Sequence, residues 1–281
     1  MRNTKAVTWE NNKPAVVIVI FAVIVSTAPV VWLWYNSLRP PIDLISEPFG
    51  SPRWTLDNYT SVIQGHTPLG RQLLNSVQVV AGSVLLCLSV GSLAAYSLSK
   101  YPWTLRFKTI LLVLILFIQI VPPVVLVPPF YTWLGRLEMV NTILGLILIN
   151  AAIQVPFATL LLKIYFDAVP SSLREAARVD GAREFTIFWR IMLPLTKPGM
   201  ATACLFVGIL VWNEFLFAVS LTSGPSAQTA TVGIAGYLQE HNIRFGEMAA
   251  AATVVSLPAV LLVIFAQKYV VAGITRGAVR G

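Results

Sequence analysis

The chain has 281 residues, 56% of them hydrophobic and 11% charged, with a formal net charge of +8. Soluble domains carry roughly 45–50% apolar and about 25% charged residues, and a water-soluble fold this poor in charge would expose aggregating apolar patches, so lipid is the solvent for most of the chain. A nucleic-acid reading is excluded because the Lys and Arg residues sit at the ends of apolar stretches rather than clustering on one face, and Cys87 and Cys204, both inside such stretches, exclude a disulfide framework or a CxxC pair.

A helix needs about 20 apolar residues to cross a bilayer. Six stretches meet or approach that length: 15–37, 72–99, 107–131, 141–166, 198–221 and 248–271. The first follows Arg2, Lys5 and Lys13 but is too long for a cleaved leader and lacks a small-x-small site at its end. With the N-terminus in the cytoplasm, fifteen basic residues fall inside and five (Arg39, Arg53, Arg71, Arg136 and Arg244) fall outside. That bias satisfies the positive-inside rule and puts both termini and the segment 167–197 in the cytoplasm.

The outer loop 38–71 carries Pro40, Pro41, Pro48, Pro52 and Pro68, and Trp54, Leu56 and Tyr59 predict a short structured piece at the interface. The outer loop 222–247 opens on a turn signal, Ser223-Gly224-Pro225-Ser226. His66 and His241, isolated in these loops, lack the partner spacing of metal ligands. Pro122, Pro123, Pro128 and Pro129 predict a kink in the third span, and Gly82, Gly91 and Gly145 predict close helix packing. No internal repeat and no separate soluble domain is visible, so the expectation is one transmembrane domain over 1–281.

Residues 175–194, EAARVDGAREFTIFWRIMLP, carry too many charges to lie in hydrocarbon. Ser172 and Glu175 have capping-box spacing after Pro170. Leu173, Ala176 and Ala177 share a face on which alanines permit close approach by another surface. Gly181 is a helix breaker free to take positive φ. Phe185, Phe188, Trp189 and Met192 then recur at i, i+3, i+4 and i+7, with Pro194 and Pro198 ending that second helix. Periodicity alone leaves two readings open: an interfacial hairpin without a partner, or a docking element.

The pattern EAA, three residues, G, nine residues, I-x-LP resembles the signature loop of permease subunits of bacterial binding-protein-dependent ABC importers. Glu175, Ala176, Ala177, Gly181, Ile191, Leu193 and Pro194 carry it. Trp212-Asn213-Glu214-Phe215 is similar to the WN(D/E) segment of the carbohydrate branch, and 272–281, AGITRGAVRG, to the AGLTAGAVKG tail of its maltose-type second permease. The resemblance, which covers nearly the whole chain, implies an all-α integral membrane protein of the type I ABC importer permease fold, with six transmembrane helices. It further implies that Arg174, Glu175, Ala176, Ala177, Arg178, Asp180 and Gly181 contact a cytoplasmic ATPase as a coupling helix, with Ile191, Leu193 and Pro194 completing the motif. The implied partners are a second, homologous permease, two ATPase subunits and an external binding protein, with lipid around the chain. ATP and Mg then belong to the ATPases, since the chain has no phosphate-cradling GxxxxGK[ST] loop. The tail is implied to reach between the ATPases.

Glu214 is the most costly residue to insert, at roughly 2.5–3.5 kcal/mol for a helix centre. In a continuous span 198–221 it lies about 6 Å to the outer side of the middle, where it must face a partner or a water-filled cavity. With Trp212 and Asn213 it supplies hydrogen-bonding and stacking chemistry suited to a sugar, and Gln119, Asn150 and Gln154, near the middle of their own spans, are candidates to line the same cavity; interhelical hydrogen bonding is the competing use of all of them. A permease for a non-sugar solute and a membrane-embedded transferase remain alternatives. The transferase needs a carboxylate or His cluster at one membrane face, which the sequence does not display.

Overall fold

A computed structural model describes residues 13–46, 50, 53–64, 69–239 and 242–278. Arg2, Lys5, Pro48, Pro52, His66, Pro68, His241 and Arg280 lie outside the described residues. In chain order the helices are α1 (Lys13–Ser37), α2 (Pro41–Ser46), α3 (Asp57–Gln64), α4 (Leu69–Lys100), α5 (Leu105–Ile120), α6 (Pro123–Arg136), α7 (Ile143–Ala168), α8 (Ser171–Val179) and α9 (Glu184–Ile187). A π-helical turn (Phe188–Met192) follows, then α10 (Leu193–Leu195), α11 (Lys197–Trp212), α12 (Leu216–Leu221) and α13 (Ala230–Ala235). A two-residue antiparallel pair, Leu238–Gln239 with Asn242–Ile243, precedes α14 (Phe245–Ala278). Helices dominate because a backbone in hydrocarbon must satisfy its own hydrogen bonds.

Pro14–Ser37, α4, α7 and Phe245–Ile264 are each long and apolar enough to span a membrane. Among the described residues the candidate spans number up to six if each of two bent pairs counts as one: α5 with α6, at 96°, and Glu184–Leu195 with α11, at 76°. The third expected span, 107–131, is therefore not one helix. Val121 is extended (ψ 123°) and Pro122 caps α6, since a residue followed by proline is driven out of the α region. The fifth, 198–221, is also interrupted, at Asn213–Phe215.

The chain divides into two compact units. The first holds 1–67 and 234–254. Its α1 is exposed along Val17–Val25, as a helix apolar on all sides is in lipid. Beyond α1 the described residues form α2 and α3, a short structured piece of the kind Trp54, Leu56 and Tyr59 predicted. Asn58 donates to the carbonyls of Ser37 (2.9 Å) and Arg39 (2.7 Å), the Tyr59 hydroxyl meets Ser37 Oγ at 2.7 Å, and the fully buried Arg39 lies over the Tyr35 ring at 5.1 Å. Arg53 pairs with Asp43, and that hydrogen bond holds the Asp43 carboxyl below its ordinary range.

The second unit, 68–233 and 255–281, is organised around α4 and α7. Lipid removes most of the hydrophobic drive for helix pairing, so close approach of small residues must supply contact. A Cβ on Gly82 would stand 2.5 Å from Ile147 Cδ1, and one on Gly91 would stand 3.2 Å from Ala158 Cβ. Ser83 donates to Ile147 O at 3.4 Å, and Cys87, fully buried, points its sulfur at Ala151 O at 3.8 Å. Gly145 packs closely too, against the Met139 carbonyl in the preceding loop and the Leu134 side chain of α6, whose Cδ1 would stand 3.3 Å from an added Cβ.

Gly91→Val therefore presses on a Cβ and a backbone nitrogen that no rotamer change can move, and should destabilise by about 1–3 kcal/mol. Thermal unfolding of the detergent-solubilised protein checks this. Gly70→Val, on the same helix with nothing within 4 Å, is the control expected to melt with the wild type.

Candidate functional site

The charged segment starts where Val169 leaves α7 in extended geometry (ψ 128°) ahead of Pro170. Pro170 itself takes the N-cap of α8, with no side-chain cap. Ser172 is thus the second residue of the helix rather than its cap, because the proline's fixed φ sets the entry. The α8 helix ends at Asp180, and Gly181 follows at φ +80°, the left-handed turn the sequence required of it.

The expected second helix is not uniform. Leu193 donates its N–H back to Phe188, five residues earlier, closing a π turn. Pro194 lacks an N–H and crowds the preceding carbonyls, and a wide turn accommodates it. The period changes accordingly. Ile187, Phe188 and Met192 are buried, whereas Phe185 and Trp189, expected on the same stripe, are exposed. The helix closes at Thr196, and Pro198 opens α11 instead of ending the segment.

These turns give α8 two sides. Ala177 is buried in a cluster with Tyr96, Phe166, Ile187, Phe188 and Met192, against which Ile191 and Leu193 also pack. Glu175, Ala176 and Asp180 are exposed, and so is Arg178, although its Nε lies 3.8 Å from the Glu184 carboxylate. The two alanines of the motif are therefore split, one inward and one outward. Arg174 turns inward: its Nη2 and Nε donate to the Glu184 carboxylate at 2.6 Å and 3.2 Å, and the Tyr96 hydroxyl of α4 donates to the same carboxylate at 2.8 Å.

The intramembrane polar residues divide by environment. The WNEF segment is a helix stop followed by a helix start. Asn213 caps α11, its N–H and side-chain amide both donating to Ile209 O at 3.1 Å and 2.8 Å. Glu214 caps α12: one carboxylate oxygen accepts the Phe217 N–H at 2.7 Å and the other the Ala218 N–H at 3.1 Å. The Glu214 carbonyl accepts Thr231 Oγ1 at 2.9 Å, tying the break to α13. Trp212 is buried, as is Asn150, which donates to Leu146 O of its own helix at 3.0 Å. Gln119 is exposed and reaches Ile153 O at 3.2 Å, beside the half-buried Gln154. Gln119 is thus tied to the α7 backbone one residue before Gln154, and Asn213 and Glu214 stand at the break, while Trp212 and Asn150 are buried.

Several site-shaping residues carried no readable spacing. Asn75 places its amide nitrogen within 3.2 Å of three carbonyls, those of Pro225, Ser226 and Gln228. Asn141, at φ +59°, accepts the Ser223 N–H at 2.9 Å. Together they hold the 222–229 loop, through partners 82 to 153 residues away in sequence.

Residues 87–276 match the family described as Binding-protein-dependent transport system inner membrane component. Over 256 residues the chain is 37% identical to the "Probable ABC transporter permease protein y4oR" of Sinorhizobium fredii, covering 90% of each. It is 32% identical over 257 residues to the trehalose transport system permease protein SugB of Mycobacterium tuberculosis, covering 90% of this chain and 92% of that one. A bacterial ABC transporter involved in the import of the acidic polysaccharide alginate superposes with a TM-score of 0.74 at 22% identity, covering 91% of this chain and 94% of the other, a likeness of fold.

Proposed function

The chain belongs to the family of binding-protein-dependent transport system inner membrane components, and from that premise we propose that it forms half of the translocation path of an ATP-driven sugar importer. The family is one of multi-pass membrane transport subunits that work with a substrate-binding protein. The sugar class is supported by the trehalose permease, the WNEF segment and the tail. A di- or oligosaccharide, a glycosylated polyol or a glycerol phosphate fits this reading.

A second permease completes the path, and two cytoplasmic ATPases bind ATP and Mg and supply the energy, so this chain hydrolyses nothing itself. Closure of the ATPase pair moves α8 as a rigid lever, and the spans alternate between inward- and outward-facing arrangements. Asn213, Gln119 and Gln154 face the path, and Glu214 holds its geometry by fixing the break in the fifth span.

The observation that carries the reading is the two-sided α8, with Ala177 sunk in the body and Glu175, Ala176 and Asp180 exposed at and beside the motif's positions. Ala176→Trp places a bulky ring on the outward face and leaves the inward one intact. A tagged Ala176→Trp chain purified from native membranes is expected to lose about 90% of the ATPase held by wild type, the loss that follows when some 1.4 kcal/mol of binding is removed. Undiminished retention of the ATPase would contradict the reading.

A further inference from the structure

Glu184 stands outside the signature spacing, yet the coupling segment closes on it. Its carboxylate gathers donors from two directions: the Arg174 guanidinium of α8, through two hydrogen bonds of 2.6 Å and 3.2 Å, and the Tyr96 hydroxyl of α4, at 2.8 Å. Arg178 Nε approaches the same carboxylate at 3.8 Å. The Arg174 guanidinium also lies over the Tyr101 ring, 5.1 Å from its centroid, just past the end of α4. Tyr96 is itself fixed, its ring centroid 5.8 Å from that of Phe166 of α7 and 5.3 Å from that of Phe188 of the π turn.

The remaining ties of α8 to the body are of another kind. Ala177 offers a methyl group to the core, and its carbonyl accepts the Ala182 N–H at 2.9 Å across the Gly181 turn. A methyl contact slides, and a turn with a glycine at positive φ is a natural pivot. A two-pronged arginine–carboxylate pair is directional and resists both sliding and rotation. The carboxylate at 184 therefore supplies the directional part of the link by which a displacement of α8 travels into α4, beside the less directional contact of Arg174 with the Tyr101 ring.

We propose that Glu184 is the positioning residue that transmits the movement of α8 into the inner end of α4, through the Arg174 and Tyr96 contacts on its carboxylate. This rests on the reading that α8 receives the motion of an ATPase. Displacement of the lever pulls Arg174, Arg174 carries Glu184, and Tyr96 passes the load to α4 and, by its ring contacts, to α7. Glu184 touches neither nucleotide nor solute, so its effect lies on the yield of transport per ATP rather than on either binding step.

The test is the ratio of solute taken up to phosphate released in proteoliposomes holding the complete complex and its binding protein. Glu184→Gln is near-isosteric, keeps the start of α9 and removes the charge. It is expected to lower the ratio on the order of tenfold, within the range that mutations along a coupled network produce, with all subunits still co-purifying. Tyr96→Phe keeps the aromatic packing, removes one hydroxyl and should lower the ratio about threefold, toward the low end of that range. A residue with a merely structural role would reduce the amount of complex, and with it both rates together, leaving the ratio at its wild-type value. A wild-type ratio in both variants overturns the inference and leaves the docking reading standing; a wild-type chain that holds no ATPase overturns the two together.

Discussion

Replacing Gly181 by valine should reduce transport by at least about tenfold without lowering the amount of protein in the membrane. Gly181 sits at φ +80°, and nothing lies within 4 Å of the position a Cβ would take. The obstacle to a side chain is therefore backbone conformation, not space. Left-handed geometry costs an ordinary L-residue roughly 1–2 kcal/mol, and 1.4 kcal/mol is a factor of ten in an equilibrium. A β-branched side chain tolerates this geometry least, so the turn opens and α8 no longer points Arg174 at Glu184. Asparagine visits the left-handed region readily. The expected order of uptake is Gly181 wild type, then Asn, then Ala, then Val, measured as binding-protein-dependent uptake at matched membrane levels. Equal uptake by all four would show that the aim of α8 is unimportant.

Glu214→Ala should lower the melting temperature and leave the solute dependence of residual transport unchanged. Both carboxylate oxygens accept backbone N–H groups of α12, at 2.7 Å and 3.1 Å. Loss of such a cap costs about 0.5–2 kcal/mol, which for a chain of this size is a shift of roughly 1–8 °C. Glu214→Gln keeps one acceptor oxygen, so its shift should be about half as large by the same cap energies. A carboxylate that instead bound the solute would behave differently. Its removal would raise the solute concentration needed for half-maximal uptake with the melting temperature unmoved. The two outcomes separate a residue that builds the path from one that touches what passes along it.

How much of this was legible in the sequence depended on the range of the interaction responsible. Hydropathy located the candidate spans, four as single helices and two as bent pairs, because the length of an apolar helix is fixed by the bilayer. Gly181 was readable because a single residue sets its own φ. The bend at Val121–Pro123 was half readable: the prolines marked a kink, but apolar length argued for one continuous helix, and the preference of a pre-proline residue for extended geometry prevailed. The break at Asn213–Phe215 has neither proline nor glycine. Its signs were Asn213, a residue type favoured at helix ends, and a carboxylate at Glu214 ahead of an apolar run, and the cost of burying charge drew attention to solvent exposure rather than to capping. The exposure of Phe185 and Trp189 follows from a π turn, which shifts the helical period where Pro194 interrupts it. The Arg174–Glu184–Tyr96 junction was invisible for a different reason: it joins residues 10 and 88 positions apart across a glycine turn, and no periodicity encodes that.

Two sources contribute to the functional reading in different proportions. The exposed face of α8 and the turn at Gly181 stand on local chemistry and carry the proposal about how energy enters. The solute rests on relatives and on a few polar side chains, two of which, Trp212 and Asn150, are buried in the described structure. Specificity is accordingly expected to be shared with the binding protein and the second permease.

The central claim is that this chain moves a sugar only when driven by ATP and supplied by a binding protein. Uptake of radiolabelled disaccharides into proteoliposomes containing the purified complex tests it most directly. Accumulation is predicted only when ATP is inside and the loaded binding protein is outside, and it should vanish when either is withheld. Accumulation driven by a proton or sodium gradient with ATP absent would contradict the account.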